Sequence, residues 1–353
     1  MAICRVYLTT YRRPQLLRRS LSSLRAQTFH DWVCELHNDA TDDDSPKHLL
    51  QEINDPRFSY HPHPQNYGPV KSFNLFFRPI QEPFFSILED DNWWEPELLE
   101  GLLQLLDLHP EANLAWANMR FWREEADGSW LRTEKTVWDE QVYAKPHVFQ
   151  WPHPKQVCAA LHSIGSMVVR ASRWTTRPVP DSLPFFGIDP TRERLYPSGL
   201  ILEPRVLANF AITRQTARKS TVTEDTQISV LLAWSFLRHV EETHDFFTIV
   251  WKSAQGWPVR SSNTLLIAAL LARRFRFLLN HARPADWLFF LATWIKRPTR
   301  MFKLMRSVSA FPEIASFLDD RTHELWTYLQ GRRESLGSGM NMQTAKAEET
   351  TTL

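Results

Sequence analysis

Short apolar runs alternate with amphipathic stretches over the first 122 residues of the chain. Cys4 to Thr10 is rich in β-branched and aromatic residues, which indicates a strand, and Pro14 then opens a helix whose apolar positions recur at helical spacing. The same pattern repeats along the chain. It predicts strands at 4–10, 32–37, 58–60, 83–88 and 113–122, and helices at 15–27, 46–53, from the turn at 66–69 to about residue 80, and 96–108.

After residue 122 the pattern changes twice. Asp127-Gly128 is typical of a hairpin turn, and the region 130–220 is rich in Trp and Pro, with strands predicted at 158–170 and 200–212. From about 224 to 332 the pattern is helical, with helices at 228–239, 264–281, 284–295 and 314–330. We therefore expect an α/β domain with a mainly parallel sheet over 1–222 (halves 1–125 and 126–222), an all-helical domain over 223–336, and a disordered tail over 337–353.

The charge is nearly balanced overall and locally uneven. The 353 residues have a formal net charge of +1, so no nucleic-acid partner is predicted. Residues 273–306, in contrast, contain nine Lys or Arg and one acid, Asp286. Two interpretations of 261–306 follow: a peripheral contact with an anionic membrane, or, favoured here, helices that pack on the first domain and leave a basic outer face.

The cysteines and the N-terminus bear on location. Cys4, Cys34 and Cys158 are far apart and contain no Cys-x-x-Cys spacing, which fits a reducing compartment. The chain enters its first strand without a signal-peptide core, and its longest apolar stretch, 287–295, is far shorter than the ~20 residues of a spanning helix. These features predict a cytoplasmic protein, with peripheral contact at the inner face of a membrane as an option.

The acidic motif Glu89-Asp90-Asp91-Asn92 directly follows an apolar strand. Three consecutive carboxylates are costly there unless something positive meets them, and divalent cations prefer carboxylate oxygens. In open α/β sheets, ligands bind at the carboxyl ends of strands. The motif by itself fits a metal-nucleotide site and an acidic turn before the helix at Pro96 equally well.

Three further polar loops follow strands of the same predicted sheet. Thr9-Thr10-Tyr11, Asn38-Asp39 and 66–74 come after the first, second and third strands. Because the carboxyl ends of parallel strands meet at one edge, we expect all four loops to line one crevice.

These four loops carry a family resemblance. Leu8-Thr9-Thr10-Tyr11-Arg12-Arg13-Pro14, the helix 20–29, Asn38-Asp39-Ala40-Thr41, Asn66-x-Gly68 with Asn74, and Asp90-Asp91 together resemble the inverting glycosyltransferases of family 2, which have the GT-A fold. The resemblance is good over 1–125, fair over 155–220 and absent beyond.

The resemblance implies roles in binding a nucleotide-sugar donor. Thr9 and Tyr11 would contact the nucleotide base, with Tyr11 stacking on it, and Asp39 would accept a base N–H, which favours uracil or thymine. Asp90 would lie near the ribose, and Asp91 would ligate Mn²⁺ or Mg²⁺ on the diphosphate.

Other positions are weaker candidates or depart from the family. Lys71 either reaches the diphosphate or is a solvated helix lysine. Phe73 stands where the family often has Arg, Asn38 replaces the first Asp of a pair, and Ala40 replaces Gly.

Inverting transfer needs a carboxylate that takes the acceptor proton. Asp189, in Gly187-Ile188-Asp189-Pro190, fits the family order, although Asp before Pro is also typical of a helix N-cap. Glu224-Asp225 resembles the family's usual pair but comes late, and it also fits a helix first turn. Asp189 is the favoured base, with Asp225 or Glu224 as the alternative.

Four residues are assigned to the acceptor or diphosphate by analogy. His162 either faces the site or is a core histidine. Arg214 and Arg218 stand where the family places a loop over the diphosphate, or form a plain surface cluster. Trp93 offers an indole face to a sugar, although most Trp residues of this chain are expected in the core.

The sequence therefore predicts a metal-dependent inverting glycosyltransferase. Its donor would be a UDP-sugar, and its acceptor a hydroxyl of a cell-surface glycan or of a lipid-linked molecule. A nucleotidyltransferase on a similar sheet and a non-catalytic glycan-binding module are the alternatives. The nucleotidyltransferase would need a Gly- and basic-rich loop after strand 1, which Arg12-Arg13 supplies only in part.

Overall fold

A ten-stranded sheet forms the centre of the first 212 residues in the computed structural model. The structure describes residues 2–173, 177–195, 199–214, 221–239, 245–255, 259–273 and 279–335. The strands are β1 (Cys4–Thr10), β2 (Trp32–Asn38), β3 (Phe58–Pro62), β4 (Phe84–Glu89), β5 (Trp93–Trp94), β6 (Leu114–Glu124), β7 (Trp130–Thr136), β8 (His147–Phe149), β9 (Met167–Arg170) and β10 (Leu200–Ile212).

The strand order is β3-β2-β1-β4-β9-β6-β10-β5, with β7 beside β6 and β8 beside β10. Strands β3, β2, β1 and β4 are parallel neighbours, and β6 and β10 form a second parallel pair. Strand β9 joins the two groups by pairing antiparallel with both β4 and β6. The mostly parallel α/β architecture predicted from the alternating pattern is thus confirmed.

Helices cover both faces of the sheet and form the C-terminal part. They are α1 (Pro14–Arg25), α2 (Ser45–Ile53), α3 (Gly68–Asn74), α4 (Leu98–Leu108), α5 (Ile188–Glu193), α6 (Val222–His239), α7 (Asp245–Gln255), α8 (Val259–Leu271), α9 (Pro284–Lys296), α10 (Pro298–Met305), α11 (Ser307–Ala310) and α12 (Pro312–Ser335). Pro14 occupies the first turn of α1, where a missing N–H costs nothing.

Two hydrophobic clusters hold the molecule together. One lies between the sheet and α1 and α4 and includes Leu17, Leu21 and Leu102. The other begins on the opposite face of the sheet with Trp116 and continues through Ile228 of α6 into the remaining helices. The C-terminal helices therefore share a core with the sheet. The division at residue 222 stays a prediction, and α6 begins at that point.

The strand predicted over 158–170 is wrong for most of its length. Only Met167–Arg170 of this segment forms a strand, and a short 3₁₀ turn occupies Ile164–Ser166. The reason is that the backbone N–H groups of Leu161 and His162 donate to the carboxylate of Glu193 rather than to a neighbouring strand. The helix predicted to residue 80 is also too long, since α3 ends at Asn74.

No helix within the described ranges combines the length and the apolarity that a bilayer-spanning segment needs. The tail predicted over 337–353 and the basic residues Arg274 and Arg276 lie outside the described residues.

Candidate active site

The carboxyl ends of β1, β2 and β4 meet in register at one edge of the sheet. Thr9 of β1 is level with His37 of β2 and with Glu89 of β4. The polar residues that follow these strands are therefore neighbours, as expected for a parallel sheet.

Asp90 is buried and fixed to the loop that follows β1. Its Oδ2 accepts hydrogen bonds from Thr10 Oγ1 at 2.9 Å and from the backbone N–H of Tyr11 at 3.3 Å. Burial, with a further contribution from neighbouring Asp91, raises the pKa of Asp90 to about 7. The Tyr11 ring itself is exposed, so it remains available to a ligand.

Arg13 links the two aspartates. Its Nη1 lies 2.8 Å from Asp91 Oδ2 and 3.2 Å from Asp90 Oδ1. Burial also raises the pKa of Asp91, while Arg13 pulls it in the opposite direction. Arg19 also lowers the pKa of Asp91, so two guanidinium groups already act on this edge of the sheet.

The turn that carries these aspartates is fixed by hydrogen bonds from side chains of α1. Ser20 Oγ lies 2.8 Å from the carbonyl oxygen of Asp90 and 2.6 Å from that of Asn92. Arg19 Nη2 donates to the carbonyl oxygen of Asp91 at 2.9 Å. The side chains of the aspartate pair are therefore presented on a rigid turn.

A cavity of about 270 Å³ lies beside this edge and contains three more carboxylates. Glu89, Asp189 and Asp225 line it, together with Phe73, Ser163, Phe185 and Phe210 among others. Both segments proposed to supply a base thus reach the same cavity. Phe73, one of the departures from the family, forms part of its apolar wall.

Glu89 is the carboxylate that connects the cavity with the aspartate pair. Burial raises its pKa well above the ordinary value, and Asp91, Asp189 and Asp90 each raise it further. Asn92 Nδ2 donates to Glu89 Oε2 at 2.6 Å. A Cβ on Gly165 would lie 2.7 Å from the same oxygen, so only glycine leaves room for this carboxylate.

Asp189 lies in the first turn of α5 and is partly exposed to the cavity. The helix begins at Ile188, so Asp189 is not its cap. Burial raises the pKa of Asp189, whereas the nearby charges of His162 and Arg192 lower it. A carboxylate with a raised pKa beside an open cavity is suited to accept a proton.

His162 supports Asp189 from the protein interior. Its Nδ1 lies 2.7 Å from Oε1 of Glu193, which is almost fully buried. Burial lowers the pKa of His162, but the Glu193 hydrogen bond and the charge of Asp189 outweigh it, and the net shift is upward. His162 is therefore a buried partner of Asp189 and Glu193.

Glu224 and Asp225 have different surroundings. Glu224 accepts the backbone N–H of Thr221 at 2.7 Å and donates its own N–H to Thr221 Oγ1, so the two residues form a capping box at the start of α6. Asp225, one residue later, lines the cavity.

Asp39 closes a buried polar row at the end of β2. It accepts from the backbone N–H groups of Tyr67 at 2.6 Å and Gly68 at 2.8 Å, and from His63 Nδ1 at 2.9 Å. A carboxylate has about four lone-pair positions, so three are occupied and one remains. Behind His63 the row continues through His37 to Glu35, which also contacts Arg5 and Arg78.

Several residues assigned by analogy lie elsewhere. Lys71 pairs with Asp181 at 3.6 Å on the exposed side of α3. Arg214 donates its N–H to Glu124 at 2.8 Å and its Nη1 to the carbonyl oxygen of Ala126, near the β6–β7 turn. Arg218 lies outside the described residues.

Trp93 does not line the cavity. The Arg19 guanidinium lies 3.8 Å from the centroid of Trp93 and 4.2 Å from that of Trp130, so it occupies a position between the two indoles. Trp122 contacts the edge of the Trp93 ring. These indole faces are covered by Arg19, which leaves them less suited to a sugar than the sequence suggested.

Asp91 and Asp90 are the residues that could hold a divalent metal at this edge. Among the described residues, no group of three or more His, Cys, Asp or Glu side chains converges as a complete metal site. Ions such as Mg²⁺ are commonly held by one or two carboxylates together with substrate phosphates, and this pair fits that mode. The residues therefore suit a metal that arrives with, or is completed by, a phosphorylated ligand.

Local reasoning missed Glu89, Arg13 and Glu193 as site residues. Glu89 is part of the acidic motif, and Arg13 directly follows the first loop. Both are therefore adjacent to motifs that the sequence analysis had identified. Glu193 gave no such signal, because its partners lie 31 to 37 residues earlier in the chain.

Comparison with known proteins adds a family and a fold. The model described as Glycosyl transferase family 2 matches residues 6–167. No curated protein sequence matches the chain. The solved structure of TarS from S. aureus superimposes with a TM-score of 0.54 at 11% identity and covers 91% of this chain. The match spans 55% of that protein, so this chain has about half its length.

Two ligand complexes have the same fold. TarS 1–349 from S. aureus in complex with UDP-GlcNAc gives a TM-score of 0.53 at 12% identity, covering 94% of this chain and 92% of that one. The mannosyltransferase PcManGT from Pyrobaculum calidifontis, in complex with GDP-Man and Mn²⁺, gives 0.50 at 13%, covering 90% and 86%. At these identities the similarity concerns the fold alone.

Proposed function

Residues 6–167 belong to glycosyl transferase family 2, so the chain carries a glycosyltransferase domain, and we propose that it moves a sugar from a UDP-sugar to an acceptor hydroxyl with inversion. One observation carries this proposal. Glu89 directly precedes Asp90 and Asp91 and lines the same cavity as Asp189, which supports one continuous site for the aspartate pair and the proposed base.

The donor half is proposed at the ends of β1 and β2. Tyr11 is exposed and stacks on the base, and Thr9 lies at the same edge of the sheet. Asp39 keeps one lone-pair position after its contacts with His63, Tyr67 and Gly68, which suits a single N–H of uracil. The UDP-GlcNAc complex of TarS has the same fold and supports a uridine donor, whereas the GDP-Man complex of PcManGT makes guanine the alternative.

Asp91, with Asp90 beside it, would hold Mn²⁺ or Mg²⁺ against the donor diphosphate. The Mn²⁺ in the PcManGT complex supports this assignment. When bound, the ion stabilises negative charge on the departing diphosphate. Arg13 contacts both aspartates and would also lie near the phosphates, which guanidinium groups bind well.

Asp189 is proposed as the general base. The acceptor hydroxyl enters the cavity, its oxygen bonds to the anomeric carbon, and Asp189 takes its proton. The bond from that carbon to the diphosphate oxygen breaks on the opposite side, so the configuration inverts and the nucleoside diphosphate leaves. The charges of His162 and Arg192 lower the pKa of Asp189 against the effect of burial, and so favour its anionic form before the reaction.

The acceptor is proposed to be a hydroxyl of a cell-surface glycan or of a lipid-linked precursor, made in the cytoplasm. Three free cysteines, two of them buried, support a reducing compartment. The apolar wall formed by Phe73, Phe185 and Phe210 supports an acceptor with an apolar or ring-shaped portion.

The test is donor hydrolysis with UDP-sugars and Mn²⁺, comparing wild type with Asp91→Ala. We expect metal-dependent release of UDP that Asp91→Ala reduces at least about tenfold, because the leaving group loses its stabilisation. Asp107→Ala, an exposed acid on α4, is the control and should match wild type. Hydrolysis that Asp91→Ala leaves unchanged contradicts the metal assignment.

The nucleotide is identified separately by thermal shift. A ligand that binds only the folded state raises the apparent melting temperature. UDP with Mn²⁺ should raise it more than GDP, CDP or ADP. A shift with UDP but no turnover with any UDP-sugar would favour a non-catalytic binding module instead.

A further inference from the structure

Four large apolar side chains on α9 and α10 are exposed to solvent. Leu288 is 67% exposed, Leu291 54%, Ile295 82%, and Phe302 of α10 55%. The first three are spaced by three and four residues, so they lie on one side of α9. We call Leu288, Leu291, Ile295 and Phe302 the outer apolar face.

This face does not arise from a loosely attached helix. On the other side of α9, Phe290 is buried, and α10 buries Met301 and Leu304. These three residues belong to the core that also contains the sheet. The helices are therefore firmly packed, and the outer apolar face is directed away from the protein.

The charges around the face are positive. Lys296, Arg297, Lys303 and Arg306 are all exposed. The one acid between residues 279 and 310, Asp286, is buried and accepts the backbone N–H of Arg283 at 3.0 Å. No carboxylate within this described segment thus offsets the exposed cations, and Glu224 of α6 lies near Lys303 alone of the four.

Two half-buried tryptophans border the face. Trp287 and Trp294 precede Leu288 and Ile295 by one residue each. Tryptophan is enriched where one end of a side chain meets apolar groups and the other meets water. The border residues are therefore those common at the boundary of a lipid layer.

We propose that the outer apolar face docks on the surface of an anionic lipid bilayer. Exposed apolar residues, a basic surround and bordering indoles are the combination by which a helix lies in the headgroup layer. The helices lie on the bilayer rather than across it, in keeping with the absence of a span-length apolar helix in the described ranges.

A second copy of the chain suits this face less well. In a two-fold dimer the same patch meets itself. Lys296, Arg297, Lys303 and Arg306 of one copy would then approach those of the other, and like charges repel. Anionic lipid headgroups instead neutralise them.

The inference does not depend on the proposed glycosyl transfer, since binding to vesicles is measured without donor or acceptor. The full chain is mixed with vesicles of phosphatidylcholine alone or with about one third phosphatidylglycerol, and floated through a density gradient at low ionic strength. We expect the protein to float with the anionic vesicles, to remain below with the neutral ones, and to release in high salt, because screening weakens the headgroup contact.

Two double variants separate the apolar from the charged contribution. Leu291→Glu with Ile295→Glu should reduce the floated fraction by about tenfold or more, because carboxylates would face the headgroups. Lys296→Glu with Lys303→Glu leaves the apolar residues in place and should abolish the preference for anionic vesicles. Leu108→Glu, at a leucine of α4 that is 76% exposed, is the matched control and should float like wild type.

All substituted side chains are exposed, and an unchanged melting temperature verifies that each variant is folded. The proposal is overturned if wild type stays below with anionic vesicles at low salt, or if the Leu291 and Ile295 double variant floats like wild type. It is also overturned if light scattering gives a dimer that this variant dissociates while no vesicle binds, since the occupant would then be a second copy.

Discussion

His37 Nδ1 lies 3.3 Å from His63 Nε2 within a buried row that ends in a carboxylate on each side. His37 Nε2 is 3.1 Å from Glu35, and His63 Nδ1 is 2.9 Å from Asp39. Each of these three contacts is a hydrogen bond that needs one proton on a ring nitrogen. Two neutral imidazoles have only two such protons. The neutral pair therefore satisfies both carboxylates and leaves two lone pairs facing each other, and a third proton completes the row.

Protonation of this row should depend on pH in a defined direction. Burial lowers the pKa of His37 below the ordinary 6.5, against the pull of Glu35, and the charges of His61 and His63 lower it further. As the pH falls below 6.5, the unfolded chain takes up a proton on His37 before the folded chain does. The free energy of unfolding should therefore fall until the folded His37 is also protonated.

The measurement is urea unfolding of wild type and His37→Gln at several pH values between about 7.5 and 5. The variant should show a shallower loss of stability with falling pH than wild type. His30→Gln, at an exposed histidine, should keep the wild-type slope. Equal slopes for His37→Gln and wild type would contradict the assignment.

Asp189 and Asp225 line one cavity, and we expect only Asp189 to act as the base. Asp189→Asn should lower kcat by about 10²- to 10⁴-fold while UDP affinity is retained, because the amide cannot take the acceptor proton. Asp225→Asn, at the start of α6, should change kcat far less.

The pH profile provides a second readout for the same pair. Burial raises the pKa of Asp189, so kcat/KM should decline on the acid side at a pH above the ordinary range of an aspartate. A large kcat loss in Asp225→Asn, with Asp189→Asn near wild type, would reverse the assignment.

Glu193 should be important for stability as well as for the site. Its Oε1 accepts from the backbone N–H groups of Leu161 at 2.6 Å and His162 at 2.7 Å, and from His162 Nδ1 at 2.7 Å. Glu193→Ala leaves these buried donors without an acceptor, and we expect a loss of about 3–5 kcal/mol in the free energy of unfolding.

Glu193→Gln separates acceptor from charge. It retains an oxygen for the backbone N–H groups but no longer holds a proton on His162. The pKa of His162 is raised in the folded chain, so wild type gains stability at low pH and loses that gain as the pH rises through the raised pKa. The difference between wild type and Glu193→Gln should therefore shrink with rising pH, as measured by urea unfolding.

The local pattern predicted elements well where apolar runs and breakers coincide. Strands β1 and β10 begin and end at the expected residues, Cys4–Thr10 and Leu200–Ile212, and β10 does so although Glu203 to Arg205 interrupts its apolar run and shifts its register. The same pattern gave a wrong prediction at 158–170, because the backbone there donates hydrogen bonds to the distant carboxylate of Glu193. Hydrogen bonds to a residue 30 positions away leave no local periodicity.

The candidate site could likewise be predicted from the sequence only in part. The order of strands and helices was enough to predict which loops line the site, since parallel strands bring their carboxyl ends together. The link from Asp91 to Arg13 and the placement of Glu89 in a cavity with Asp189 depend on side-chain directions that no local pattern encodes.

The space around Glu89 gives a final prediction. A Cβ on Gly165 would come within 2.7 Å of Glu89 Oε2 and 2.9 Å of Asn92 Nδ2; Asn92 is buried and Glu89 is half-buried. Gly165→Ala should therefore displace Glu89, lower the free energy of unfolding by about 1–3 kcal/mol and reduce donor hydrolysis. Gly101→Ala is the matched control, since its Cβ would lie 2.8 Å from Nη2 of Arg205, whose largely exposed side chain can move away. Gly101 lies within α4, where alanine is also the better helix former, so this variant should be at least as stable as wild type. Thermal unfolding and UDP release measured on both variants decide the matter: equal behaviour of the two would show that the space beside Glu89 is not needed.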